Sequence, residues 1–157
     1  MREKSKLLWI DKDPFSHKSS QNRMSASQRQ NVVLRILRIN YEVDLMYDLF
    51  SKNIHKKIEN FNPYSVLTHM PYHEITYKYD SAMEILSNLI NTYKNLPFLV
   101  YTGATNRELT SDENLKSIGV RGVVRKLDTD EEDATNIMRC LSAVVRGEKF
   151  VSFNPKK

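Results

Sequence analysis

The sequence has few of the residues from which common cofactor sites are built. Its single cysteine, Cys140, excludes an internal disulfide framework and is consistent with a reducing cytoplasm. Its four glycines argue against a loop that cradles phosphate, and no G-x-G-x-x-G, Walker-type loop or G-x-S-x-G is present. No metal-spaced cluster of cysteine and histidine occurs either. These absences argue against the cofactor-dependent and nucleophile-elbow classes of enzyme, and we expect a protein that is not an enzyme.

Long apolar runs and blocks of like charge are also missing. No run of about 18 apolar residues exists, so no membrane span is predicted. The apolar run at residues 7–10 is too short for the core of a signal peptide, and we expect a cytoplasmic protein. The formal net charge is +5, yet no block of five or six basic residues occurs. Because no helix carries the basic cluster of a groove reader, nucleic acid is not the expected partner.

Short apolar runs alternate with segments of helical periodicity along the chain. Strands are predicted near residues 6–10, 41–46, 63–71, 97–101 and 123–125. Helices are predicted after Ser25, over 49–60, from Ser81, around 105–118, and from Thr129 to Gly147, several of them with capping signals. Five β-α repeats predict an α/β fold, a doubly wound five-stranded parallel sheet with helices on both faces.

The polar and aromatic composition predicts how the rest of the chain is organised. Residues 1–150 form a single domain, and 15–28 form an inserted polar loop or an added helical turn. Residues 151–157 are interpreted as a basic tail. The tyrosine-rich segment 72–79 is either a loop that binds a partner or a loop that packs its own aromatic rings.

The stretch 64–71 (YSVLTHMP) predicts a buried central strand that stops before a proline. Ligands of open α/β sheets bind beyond the carboxyl ends of such strands. The strand-end residues are therefore the candidates for chemistry, and at this central strand none of them is a carboxylate. They are Asp11, Thr68, His69, Thr102 and Lys126.

The order of these strand ends resembles the receiver domain of bacterial two-component response regulators, over about residues 6–150. The resemblance implies a flavodoxin-like sheet with strand order 2-1-3-4-5 and a role in phosphorelay signal transduction. In that family an aspartate on the third strand accepts a phosphoryl group, and two acidic residues after the first strand hold Mg²⁺. A threonine or serine after the fourth strand and a lysine after the fifth bind the phosphoryl oxygens.

The sequence matches only part of that pattern. Lys12 occupies the second acidic position, and the acceptor position falls on Leu67 or Thr68, depending on the length of the turn before Pro71. Val123 stands where the resemblance implies an aromatic switch residue. We interpret the strand ends as a vestigial phosphorylation pocket in which Mg²⁺ binding is lost. Its residues are Asp11, Lys12, Leu67, Thr68, Thr102 and Lys126, and Lys126 is expected to pair with Asp11.

The resemblance and the departures together favour an atypical receiver-like signalling module, a pseudo-receiver. It would act through protein–protein interaction without aspartate phosphorylation. Two alternatives stay open: a phospho-acceptor that uses an unorthodox residue in a phosphorelay, and a small DNA-associated transcription regulator. The expected partners are proteins of a signalling pathway. The resemblance also implies a homodimer through the fourth helix, fifth strand and fifth helix, with a face formed by Arg121, Arg125, Asp130, Glu131, Arg139 and Arg146.

Overall fold

The computed structural model describes residues 3–11, 20–47, 49, 51–70, 76–103, 110–126 and 129–153, without the side chains of 20–26 and 76–81. The strands are β1 (Ser5–Asp11), β2 (Tyr41–Tyr47), β3 (Ser65–Thr68), β4 (Phe98–Thr102), β5 (Gly122–Arg125) and β6 (Val151–Phe153). The helices are α1 (Ser20–Asn40), α2 (Ile54–Phe61), α3 (Thr76–Thr92), α4 (Asp112–Ser117) and α5 (Asp130–Val145). None of these described helices is long and apolar enough to cross a bilayer.

All six strands form one sheet in the order β2-β1-β3-β4-β5-β6, and every neighbouring pair is parallel. Every residue of β3, β4 and β5 is buried. Burial of whole strands is typical of a parallel sheet that is covered by helices on both faces. The predicted doubly wound α/β architecture is therefore correct.

Alternation of side chains along the strands divides the core into two layers. Leu8, Ile10 and Val66 pack with α2, α3 and α4 on one face of the sheet. Trp9 and Leu67 pack with α1 and α5 on the other face. Residues that follow one another at a strand end consequently point to opposite layers.

The predicted cap of α5 is present, whereas the predicted starts Ser25 and Ser81 lie inside α1 and α3. The Thr129 side chain accepts a hydrogen bond from the Glu132 backbone N–H at 3.3 Å, which confirms the predicted start of α5. Four acidic residues occupy the first turn of α5, where they interact favourably with the helix dipole. Ser111 caps α4 in the same way, at 3.2 Å from the Asn114 backbone N–H.

The predicted basic tail and strand count need one correction, because Val151–Phe153 forms a sixth strand beside β5. Gly147, with φ +92°, turns the chain after α5, and the Glu148 N–H donates to the Ala143 carbonyl at 3.1 Å. The Arg121 guanidinium then donates to the carbonyls of Glu148 and Lys149 at 3.2 and 3.3 Å. These contacts return the chain to the sheet edge, although the tail itself has no apolar run long enough to predict a strand.

Four helices begin at positions other than those predicted. Helix α4 begins at Asp112, later than the predicted start near 105, and 104–109 lie outside the described residues. Helix α1 begins at Ser20, so residues 20–28 of the predicted inserted loop are helical, and 15–19 lie outside the described residues. Helix α3 begins at Thr76, inside the tyrosine-rich segment, of which 72–75 lie outside the described residues. Helix α2 begins at Ile54, later than predicted. Polar residues have adequate helix propensity but carry no apolar periodicity, so the first turns of α1 left no signal.

Gly122 allows α5 to lie close to β5. A Cβ atom at this position would lie 2.3 Å from the Cys140 Sγ, a distance that real Cβ atoms do not show. The thiol is fully buried at this contact, and burial raises its pKa to about 12, with a smaller contribution from Glu148. The lone cysteine is therefore a core residue that packs against a glycine.

We expect Gly122→Ala to lower the free energy of unfolding by about 1–3 kcal/mol, because it overpacks the contact with Cys140. Adding Cys140→Ala removes the clashing sulfur, so the double variant should lose less stability than the sum of the two single changes. Urea denaturation of the four proteins measures this coupling. Gly147→Ala has no atom within 4 Å of its new Cβ and serves as the control that should be additive with Cys140→Ala. Stability losses of Gly122→Ala and Cys140→Ala that simply add in the double variant would contradict the packing argument.

Candidate functional site

The carboxyl ends of β1, β3, β4 and β5 lie side by side and bring four of the predicted site residues to one edge of the sheet. Asp11 ends β1, Thr68 ends β3 and Thr102 ends β4. Lys126 follows β5, and its backbone N–H donates to the Thr102 carbonyl at 2.9 Å. The exposed fractions of Asp11, Thr68 and Thr102 are 8%, 0% and 1%. Lys12 lies outside the described residues.

The two predicted acceptor positions point to opposite layers. Leu67 is fully buried between α1 and α5 and belongs to the same cluster as Trp9 and Leu99. Thr68 alternates to the other layer, and its hydroxyl donates to the His69 carbonyl at 3.2 Å. Position 67 is thus an apolar core position, while position 68 holds a buried hydroxyl.

Asp11 is held by a hydrogen-bond chain that begins at the sheet edge. Gln30 of α1 donates its Nε2 to the Asp11 Oδ2 at 3.0 Å, and both side chains are buried. The Tyr47 hydroxyl, at the end of β2, donates to the Gln30 Oε1 at 3.2 Å. Because Tyr47 binds the oxygen of the amide, the nitrogen of Gln30 faces the carboxylate. One oxygen of Asp11 is therefore already coordinated by a protein donor.

Lys126 does not pair with Asp11, contrary to the prediction. Among the described residues the ion pairs join Lys57 to Asp44, Arg125 to Asp112 and Arg146 to Glu148. The Lys126 ammonium lies instead over the Tyr101 ring, 5.0 Å from its centroid. A cation in this position is attracted by the ring quadrupole. The amide of Gln30 takes the place at Asp11 that the prediction gave to the lysine.

Tyr101 connects the edge to α5 through a short buried hydrogen bond. Its hydroxyl donates to the Asp133 Oδ2 at 2.6 Å, and both side chains are almost fully buried. Burial, and next the hydrogen bond and charge of Asp133, hold the pKa of Tyr101 well above its ordinary value of 10. The neutral phenol is thereby kept as a donor. The sequence shows an aspartate in the first turn of α5 but gives no indication that Tyr101 is its partner.

Two arginines of the predicted dimer face are engaged inside the molecule. Arg125 is 3% exposed, and its Nη2 donates to the Thr110 carbonyl at 2.7 Å and to the Asp112 Oδ1 at 2.8 Å. Arg121 holds the segment that leads to β6, and β6 itself covers the outer edge of β5. Arg125 is therefore buried within the chain, and the exposed members of the predicted face are Glu131 and Arg139 on α5 and Arg146 at its C-cap.

Four residues of this edge are not among those predicted from the sequence: Gln30, Tyr47, Tyr101 and Asp133. Gln30 lies three positions before the apolar Val33 of α1, on the buried side of the helix, and a buried glutamine in an amphipathic pattern indicates a polar partner. Tyr101 ends an otherwise aliphatic strand directly before Thr102. Neither pattern identifies the partner, because the partner comes from an element distant in sequence.

We expect stability to fall above pH 10 by about 1.4 kcal/mol per pH unit for each tyrosine that ionises only when unfolded. Tyr101 is such a residue, because its raised native pKa leaves the native state protonated while the unfolded phenol ionises. Tyr101→Phe should remove this part of the slope, measured as urea stability between pH 9 and 11. Tyr64→Phe, on an exposed ring, is the matched control and should keep the slope. An unchanged slope in Tyr101→Phe would show that the phenol ionises in the native state.

No protein-family model and no curated protein matches the sequence. Solved structures do match. The RcsB receiver domain from Salmonella enterica serovar Typhimurium, solved in the presence of the phosphomimetic BeF3−, is 14% identical with a TM-score of 0.63, over 95% of this chain and 94% of that one. The non-phosphorylated RcsB receiver domain from Escherichia coli is 14% identical with a TM-score of 0.60, over 98% and 100%. The chemotaxis protein CheY4 from Vibrio cholerae is 20% identical with a TM-score of 0.58, over 88% and 99%. The chain therefore has the fold of response-regulator receiver domains.

Proposed function

We propose that the chain is a receiver-like signalling module that acts through contacts with protein partners and does not use aspartate phosphorylation. The observation that carries this proposal is the end of β3. Leu67 belongs to the apolar core between α1 and α5, and Thr68 is a buried hydroxyl bonded to a backbone carbonyl. An acyl phosphate needs a carboxylate, and neither residue supplies one.

An unorthodox acceptor has little support at this edge. A threonine hydroxyl is a weak nucleophile unless an adjacent base activates it. The Thr68 hydroxyl already donates to the His69 carbonyl, which is not a base that could take its proton. The proposal therefore assigns no enzymatic step to these residues.

The donor set also does not fit Mg²⁺, which prefers carboxylate oxygens. Asp11 is the one carboxylate at the described strand ends of β1, β3 and β4, and Gln30 donates to its Oδ2. The sequence places a lysine, Lys12, directly after it, which adds positive charge beside the position of a cation. Among the described residues no group of three or more histidines, cysteines or acidic residues is arranged to hold a metal. The proposed module consequently works without a metal cofactor.

The proposed module acts through protein contact, and the cytoplasm is the compartment that the single cysteine favours. A dimer through β5 is not part of the proposal, because Arg121 and Arg125 are used within the chain. The exposed surface of α5 is the part of the predicted face that can meet a partner.

We expect no phosphoryl adduct when the chain is incubated with acetyl phosphate and Mg²⁺, because no carboxylate acceptor exists at the end of β3. Intact mass spectrometry measures the adduct directly. A response regulator with an intact acidic pocket, treated in parallel, is the positive control. A stoichiometric adduct on this chain would overturn the proposal and make the modified residue the acceptor.

We also expect Lys12→Asp with Leu67→Asp to gain Mg²⁺ binding, because Leu67 lies on the face of the sheet where Gln30 of α1 reaches Asp11, whereas Thr68 points to the other layer. Adding Gln30→Ala removes the amide that donates to the Asp11 Oδ2 and should tighten the binding further. Calorimetric titration with Mg²⁺ compares the double and triple variants. Equal affinity in the two would mean that Gln30 does not compete for the carboxylate.

A further inference from the structure

A groove of about 550 Å³ lies along α5 and β6 and shares no residue with the carboxyl edge of the sheet. Three of its lining residues are apolar and half-buried: Met138 on α5, and Val151 and Phe153 on β6. Methionine side chains adapt to different partners at binding surfaces. The groove exists because β6 follows α5 and supplies its second wall.

The α5 wall is shaped to receive another helix. Thr135, Met138 and Ser142 of α5 and Arg146 at its C-cap are spaced by three, four and four residues, so they lie along one ridge. Threonine and serine are small enough for a second helix to approach closely, and ridges of this spacing pack into the grooves of a partner helix. The apolar side chains of β6 then offer contacts to one side of that partner.

Charge limits which helix fits. The charged residues that line the groove are Arg139, Arg146 and Glu148, which leaves one net positive charge. The two arginines are seven residues apart, about 10.5 Å along the axis at about 1.5 Å per residue. Arg139 forms no ion pair with another described residue, and Arg146 meets Glu148 only at 3.7 Å, with side-chain exposures of 67% and 53%. The whole chain carries a net charge of +5, which also favours the approach of an acidic partner.

We propose that this groove binds an amphipathic helix of a partner protein, with apolar side chains against Met138, Val151 and Phe153. Two acidic residues of that helix, seven positions apart, pair with Arg139 and Arg146. The inference rests on the proposed function, since it names the chemistry of the protein partner through which the module acts. It does not depend on the residues of the carboxyl edge.

The test uses two synthetic 18-residue helical peptides and the full chain. Both peptides carry leucines at positions i, i+3, i+7 and i+10, and one has glutamate and the other lysine at two flanking positions seven apart. We expect the glutamate peptide to bind at least tenfold more tightly by fluorescence anisotropy. The backbone amide NMR chemical shifts that change on binding should belong to residues of α5 and β6.

Charge-reversal variants of the protein provide the second part of the test. Arg139→Glu with Arg146→Glu should weaken the glutamate peptide at least tenfold and strengthen the lysine peptide. Arg29→Glu with Arg35→Glu changes the net charge equally on the exposed side of α1 and should leave the preference for glutamate intact. Ser142→Trp, which fills the groove without changing charge, should weaken the glutamate peptide at least tenfold.

Absence of binding, equal binding of the two peptides, or shifts outside α5 and β6 would overturn the inference. A dimer in sedimentation that Ser142→Trp dissociates would also overturn it, because the occupant would then be a second copy of the chain. Mass spectrometry after acetyl phosphate treatment separates the two proposals. A phosphoryl adduct together with selective peptide binding would contradict only the proposed function. Absence of both the adduct and peptide binding would contradict only the proposed binding site in the groove.

Discussion

Burial of the central sheet on both faces is the constraint on which the rest of this structure depends. In strands covered by helices on both sides, successive side chains point alternately into two apolar layers. Each position near a strand end therefore belongs to one layer or the other. Leu67 belongs to the layer of α1 and α5, and Thr68 to the layer of α2, α3 and α4. The identity of these two side chains therefore decides whether the edge of the sheet is a packed surface or a reactive pocket.

Polar groups that enter this edge are held by partners from distant elements. Asp11 binds Gln30 of α1, and Asp133 of α5 binds Tyr101 of β4. Arg125, which precedes Lys126, binds Asp112 at the start of α4. Burial of a polar or charged group costs free energy unless it is hydrogen-bonded, so these pairs stabilise the edge and fix its geometry. The same pairing that stabilises the edge occupies side chains that could otherwise bind a ligand.

The elements with strong local patterns could be predicted, because their signals lie within one segment. The apolar run of β3, the Thr129 cap and the end of α5 at Gly147 are examples. The edge residues Asp11, Thr102 and Lys126 were placed correctly as well, because parallel strands end at one edge. Strand β6 could not be predicted, since it depends on contacts of Arg121 with a segment 27 residues away.

The partners of the edge residues could not be predicted for the same physical reason. A hydrogen bond from Gln30 to Asp11 joins residues 19 positions apart, and no local periodicity records it. The pairing of Asp11 with Lys126 was a reasonable electrostatic expectation. It failed because a neutral amide and an aromatic ring satisfy the two charges separately.

Strand β6 also changes the direction in which the chain leaves the domain. Helix α5 runs antiparallel to the strands, so its last residue, Val145, lies towards the amino-terminal edge of the sheet. Because β6 is parallel to β5, with Phe153 opposite Val124, the chain instead travels towards the carboxyl edge. Phe153 therefore lies two residues short of the level of Lys126, which directly follows β5. The sixth strand thus carries the chain back towards the carboxyl edge on the side of Lys126, whereas Asp11 of β1 lies four strand positions away.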